Sequence, residues 1–205
     1  MRSYKTCIVI VLSVILLDQF TKLLVHFTME MGTIGEIKVF GKWLRLHYTL
    51  NPGMAFGIRI GTKYGKLFLT AFRLFATYLI ASHLPKLIKN REVTGLVIFS
   101  WTLILGGAIG NIVDSVFYGI FLENAPSTAP MKLFYGQVID MILVGIENIW
   151  IPSFVPFIGG RYLPPFPVFN VADSCICSGV SLIILDAILR RFRIYERIQN
   201  KMKKS

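Results

Sequence analysis

Apolar residues gather in four long runs along this chain, roughly Cys7–Phe27, Tyr64–Leu84, Thr94–Tyr118 and Val168–Leu189. A helix rises about 1.5 Å per residue, so roughly 20 residues cross the ~30 Å hydrocarbon core of a bilayer. The pattern therefore predicts four membrane-spanning helices. Between the first two runs, at about 28–63, lies "IGEIKVFGKWLRLHYTL", in which Ile37, Val39, Trp43, Leu44, Leu46 and Tyr48 partly alternate with polar residues. Period two is the signature of a strand, and it predicts short β-strands lying at the membrane surface. The stretch at about 119–167 contains "NAPSTAP" and "IPSFVPFIGGRYLPPFP". Proline interrupts it too often for a fifth span. Its Trp150, Phe154, Phe157 and Tyr162 suit the membrane–water interface. Long ordered loops are uncommon unless functional, so this one reads as a lid or as a loop resting on lipid.

Composition supports this reading. Hydrophobic residues make up 54% of the 205, and the mean hydropathy is +0.62. Four spans leave too little chain for a separate soluble domain, so residues 1–205 read as a single integral-membrane domain. The first run resembles a signal peptide only superficially. It holds Asp18 and Lys22, lacks an A-x-A site and is long for such a segment, so it reads as a mature helix.

Charge sets the orientation. An even number of spans puts both termini on one side. Arg2 and Lys5, then Lys86, Lys89 and Arg91, then Arg190, Arg191, Arg193, Arg197, Lys201, Lys203 and Lys204 all fall on that side. These are twelve of the 22 Lys and Arg, and the positive-inside rule makes their side cytoplasmic. The net charge of +11 is then topology and attraction to anionic lipid. Nucleic acid is not expected as a partner, because no folded domain presents the charge to it.

Chain direction also gives depth. Asp18 and Lys22 fall in the outer half of the first span, and Asn111 and Asp114 near the outer end of the third. Asn170 and Asp173 stand at the outer start of the fourth, and Asp140 lies in the outer segment between. Four carboxylates from four elements thus share the extracytoplasmic side, and intramembrane ionisable groups usually mark a functional site. Asp18 and Lys22 sit at a helical i,i+4 spacing and can neutralise each other, as can Asp186 and Arg190 at the cytoplasmic end. Asn111–Asp114 and Asn170–Asp173 each put an amide and an acid on one helix face. Two adjacent carboxylates sharing a proton can hydrolyse a peptide with neither a metal nor a covalent intermediate. His26, His47 and His83 show no ligand spacing, and Cys175 and Cys177 fall inside a span, so no metal or cofactor is expected. The same acids would also serve a proton-coupled transporter or a lipid-binding membrane protein. Four spans without inverted repeats weigh against transport.

Five stretches in order carry a resemblance: "DQFTK" (Asp18–Lys22), "NPGMAFG" (Asn51–Gly57), "GGAIGNIVD" (Gly106–Asp114), "VIDM" (Val138–Met141) and "FNVADS" (Phe169–Ser174). Over essentially its whole length the chain resembles the lipoprotein signal peptidases (signal peptidase II), bacterial inner-membrane aspartic proteases. The resemblance implies an all-α integral membrane fold of four transmembrane helices with a small extracytoplasmic β-cradle and an amphipathic flap. It implies cleavage of prolipoproteins before the lipid-modified cysteine, with Asp140 and Asp173 as the catalytic dyad. Asp18, Lys22, Asn51, Gly53, Asn111, Asp114 and Asn170 match positions that support dyad and substrate. Depth alone does not choose Asp140 over Asp114; the resemblance does. One departure stands out: the family usually has Arg after the third-motif Asp, whereas this chain has Ser115. The expected partners are a lipid-modified prolipoprotein and membrane lipid, around a monomeric enzyme whose site faces outward.

Overall fold

A computed structural model of the protein describes residues 3–52, 64–145, 149–156, 159–163 and 167–202. Among the described residues, four helices are long and apolar enough to cross a membrane, Tyr4–Thr28, Gly65–Lys89, Gly95–Phe121 and Val171–Phe192. They contain α1 (Tyr4–Thr28), α2 (Gly65–Lys89), α3 (Gly95–Val113) and α5 (Val171–Met202). Hydropathy located all four, but two ends moved. Helix α2 runs through Pro85 to Lys89 instead of stopping at Leu84. Proline removes one backbone bond, yet Leu84 and Ile88 on either side of it are both buried in a hydrophobic core, and that burial holds the turn. Helix α5 continues past Leu189, where Arg190 Nε pairs with Asp186 at 2.7 Å and Arg190 Nη2 donates to the Glu92 carbonyl. The Asp186–Arg190 pair expected from spacing is thus structural. It is extended by the Thr94 hydroxyl, which donates to Asp186 while accepting the Val97 amide in the first turn of α3.

The chain divides into two compact units, residues 1–18, 70–112 and 171–205, and residues 19–69 and 113–170. In the first, Cys7, Leu84, Ile88, Ile98 and Leu105 form the buried core. Large apolar side chains such as Leu16, Phe72, Tyr78 and Ile184 are exposed, which suits helices whose solvent is lipid. Ser100 and Thr102 are buried, and each hydroxyl donates to a carbonyl one turn back, which satisfies it without water. Glycine lets the backbones approach. A Cβ on Gly107 would collide with the Ala172 carbonyl, and one on Gly110 would lie 2.6 Å from Asp18 Oδ2.

The second unit carries an antiparallel sheet of order β1-β2-β3, with β1 at Ile37–Phe40, β2 at Leu44–Asn51 and β3 at Val138–Val144. The first two are the strands that period two predicted. Gly41, at φ +53, makes the turn between them in a conformation that disfavours other residues. Strand β1 is exposed along its whole length. Strand β3 was not foreseen, because "VIDMILV" is buried on both faces and shows no alternation. Its Ile139 and Met141 enter a core with Val25, Tyr48 and Tyr118. Two short strands, β4 (Ile149–Ile151) and β5 (Arg161–Leu163), pair antiparallel. The Trp150 and Tyr162 rings meet edge to face at 5.1 Å, and both are exposed. This hairpin occupies part of the segment expected to form a flap; Phe157 lies outside the described residues.

Candidate active site

Alternation along β3 sets the position of Asp140 within the second unit. With Ile139 and Met141 turned to the core, Asp140 points to the opposite face. It is 2% exposed, in the middle of an otherwise apolar strand. Its carboxylate is held by two amides. Asn51 Nδ2, on the neighbouring strand, donates to Oδ2 at 3.0 Å, and Asn170 Nδ2 donates to Oδ1 at 2.7 Å. Asn51 pairs with Val138 and Thr49 with Asp140, so Asn51 reaches Asp140 diagonally on one face of the sheet. The register of β2 slips between Leu46 and Thr49, a bulge of the kind that re-aims side chains beside active sites.

Behind Asp140 stands a buried ion pair. Lys22 Nζ lies 2.8 Å from Asp114 Oδ2, and both side chains are fully buried. Asp114 also accepts the backbone amide of Ile139 at 3.3 Å and the side-chain amide of Gln19 at 3.0 Å. Lys22 thus meets an acid that helical spacing could not offer it, from a distant part of the chain. Asp114 opens a π-helical turn, Asp114–Tyr118, which leads into the short helix α4 (Gly119–Phe121). The Ser115 and Val116 carbonyls in this turn accept the amides of Gly136 and Phe134. Asn124 then clips Gln137 with three hydrogen bonds, which anchors the start of β3. Ser115 is 0% exposed. A buried arginine there would need its own counter-ion, whereas the cation facing Asp114 comes from Lys22.

In the first unit, polar residues gather at the start of α5. Asp173 sits in its first turn and accepts a hydrogen bond from Asn111 Nδ2 on α3 at 2.8 Å. Asp18 Oδ1 accepts the Ala172 amide at 2.9 Å, which satisfies one of the amides a helix leaves unpaired at its N-terminus. Asp18 is 0% exposed and packs against Gly110. Gly110→Ala is expected to push Asp18 off the Ala172 amide, lowering stability by about 1–3 kcal/mol through overpacking. Thermal unfolding in detergent measures this, and an unchanged midpoint would show that Asp18 has room to move.

Asn111 serves Asp173, and Asn170 serves Asp140. Within the second unit the fold gathers Lys22, Asn51, Asp114, Asp140 and Asn170; within the first it gathers Asp18, Asn111 and Asp173. Gly53 lies outside the described residues. Sequence reading passed over Gln19 and Tyr118, whose hydroxyl donates to Gln19 Oε1 at 2.8 Å. Neither residue type carries charge, so neither stood out. His26 is hydrogen-bonded to the Tyr48 hydroxyl and His47 to Glu36. Burial pushes the Tyr48 phenol above its ordinary pKa, which keeps it protonated. Among the described residues no cluster of three or more His, Cys, Asp or Glu could hold a metal ion.

Comparison with known proteins settles the lineage. The family described as Signal peptidase (SPase) II matches residues 10–189. The chain belongs to the signal peptidase II family. It is therefore an aspartic peptidase of that type, and its four apolar helices make it a multi-pass bacterial membrane protein. A lipoprotein signal peptidase of Amoebophilus asiaticus (strain 5a2) is 47% identical over 190 residues, covering 93% of this chain and 79% of the relative. One from Porphyromonas gingivalis (strain ATCC 33277) is 37% identical over 191 residues, covering 88% and 82%. A solved bacterial membrane enzyme, determined by the in meso method at 2.3 Å resolution, superposes with a TM-score of 0.58. It is 26% identical, with 91% of this chain and 89% of that one covered. For a signal peptidase II, the expected helices and small antiparallel sheet are the observed architecture.

Proposed function

We propose that Asp140 and Asp173 form the catalytic dyad of this signal peptidase II, which removes signal peptides from lipid-modified prolipoproteins. One observation carries the reading. Each acid is held by an asparagine amide from a different motif, and Asn170, which holds Asp140, precedes Asp173 by only three residues on the lead into α5. Amide donors fix a carboxylate by hydrogen bonding and bring no charge of their own.

The chemistry follows from two carboxyl groups sharing one proton, and that proton belongs to the pair. The ionised member takes a proton from water as its oxygen attacks the scissile carbonyl. The protonated member gives its proton to the carbonyl oxygen. The tetrahedral intermediate collapses, the C–N bond breaks and the departing amine takes up a proton. The products are a signal peptide ending in a carboxylate and a lipid-modified cysteine with a free α-amino group. No covalent enzyme intermediate is needed.

The whole chain acts as one integral-membrane domain, as a monomer, with both termini cytoplasmic and the site at the extracytoplasmic face. The basic residues flanking the spans support this orientation. The diacylglyceryl chains of the substrate lie in lipid, so the substrate's own anchor delivers its scissile bond to interfacial depth. The exposed Phe40 and Trp43 beside Lys38 and Lys42, around the β1–β2 turn, suit contact with that interface. The test is purified protein in detergent with a diacylglyceryl-modified prolipoprotein. Mass spectrometry should find one cut, on the N-terminal side of the modified cysteine, and none in the unmodified precursor. Absence of cleavage by folded protein would turn the reading toward a transporter or lipid-binding protein.

A further inference from the structure

We infer that Gln19 and Tyr118 are positioning residues for Asp140, acting through Asp114 on the backbone of β3. The inference rests on the reading of Asp140 as catalytic. It starts from the edge that β3 presents in the sheet β1-β2-β3. An edge strand offers unpaired backbone groups and is free to shift. Beside Asp140 that edge is closed by side chains: Asp114 Oδ2 accepts the Ile139 amide, and Asn170 Nδ2 reaches the Ile139 carbonyl at 3.3 Å. Farther along, the Met141 and Ile142 amides both donate to the Phe169 carbonyl. The Val138–Ile139 peptide, one residue before Asp140, is therefore aimed by the Asp114 carboxylate, while Asn170 holds the Ile139–Asp140 peptide at its carbonyl.

Gln19 and Tyr118 decide how that carboxylate is aimed. Lys22 fixes Oδ2 by charge, but an ammonium is a point charge with rotatable donors and specifies no plane. Gln19 Nε2 holds the other oxygen, Oδ1, at 3.0 Å, which sets the plane of the group. The Gln19 amide is oriented in turn at its own oxygen, where the Tyr118 hydroxyl donates at 2.8 Å. Asp114 and Tyr118 are the first and last residues of the π-helical turn, so Gln19 spans that turn from end to end. Widened turns of this kind occur often at functional sites. Tyr118 is 4% exposed, with its ring in the same core as Ile139 and Met141. Tyr118 orients Gln19, Gln19 orients Asp114, and Asp114 sets the strand that carries Asp140. None of the three needs to touch substrate, so the effect falls on turnover and not on binding.

Steady-state cleavage of a lipidated prolipoprotein, with kcat and KM determined separately, tests this on full-length protein in detergent. Misplacing a reacting group by about 1 Å can cost up to ~100-fold, so a partial loosening should lower kcat by about 10-fold in Gln19→Met and about 3-fold in Tyr118→Phe. KM should stay within about 2-fold, because uniform binding is untouched. The double variant should be no slower than Gln19→Met, since the Tyr118 hydroxyl reaches Asp114 through Gln19. An unchanged kcat in both single variants, a rise in KM alone, or losses that multiply in the double variant would each overturn the inference. Tyr118→Phe removes one oxygen atom and keeps the ring, so it decides the question if Gln19→Met does not fold. Asp140→Asn runs alongside: if it still cleaves, the dyad reading fails; if it is inactive while the Gln19 and Tyr118 variants keep the wild-type kcat, only this inference fails.

Discussion

Asp140→Asn and Asp173→Asn, as variants of the proposed dyad, should each remove cleavage of a lipidated prolipoprotein, by at least about 10³-fold, while the protein still extracts and elutes as the wild type does. General acid–base groups contribute about 10²–10⁴-fold each, and neither role survives conversion to an amide that does not exchange a proton at neutral pH. The two losses should not multiply. A pair that shares one proton works as a unit, so the double variant should be about as slow as either single one. Stability separates the two positions. Asp140 accepts amide hydrogen bonds on both oxygens, from Asn51 and Asn170. An Asn substitution turns one of those oxygens into a donor facing a donor, at a cost of about 1–3 kcal/mol for a buried unsatisfied group. Asp173 is only partly buried, and Asn111 donates to its Oδ1, so its substitution should be the milder one for stability. Thermal unfolding gives the stability ranking, and mass spectrometry of the product gives the activity. Retained cleavage in either single variant would sink the dyad.

Lys22→Met has the largest expected effect on folding. It leaves the Asp114 carboxylate, 0% exposed, without the ammonium 2.8 Å away. Breaking a buried pair from one side costs about 3–5 kcal/mol, because the remaining charge is uncompensated. Total stabilities are only about 5–15 kcal/mol, so the variant should accumulate poorly and unfold well below the wild type. Adding Asp114→Asn should restore much of this stability by removing the stranded charge, since a neutral amide oxygen still accepts the Ile139 amide. Cleavage should remain impaired, because Lys22 no longer anchors the side chain that holds β3. Unfolding midpoints of the two variants in one detergent test this directly. A Lys22→Met protein as stable as the wild type would show that the pair contributes little.

How much of the site was legible depended on the range over which each signal acts. Asp186 and Arg190 pair as their spacing required, because one helical turn brings them together wherever the helix lies. No such rule reaches from Lys22 to Asp114, 92 positions away in sequence. Gln19 sat inside a quoted motif, yet nothing in its neighbours pointed to Tyr118, 99 positions on. Strand β3 escaped notice for a different reason. Burial on both faces erases the alternation by which strands are recognised, leaving Asp140 as a lone acid in an apolar run.

The order of polar and apolar residues by itself determined four membrane helices, two strands of the sheet and the motif set of a signal peptidase II. Those properties are local: hydrocarbon thickness sets span length, and the alternation of side chains sets strand faces. Beyond one-turn pairs such as Asp186 and Arg190, only the tertiary structure decided which group a polar side chain meets. It gave Asn111 to Asp173 and Asn170 to Asp140, and it placed Lys22 on Asp114 and Asp18 on the first turn of α5. The reason is energetic. A polar group without water must find a partner, and which partner lies within 3 Å is a property of the packed backbone, not of spacing along the chain.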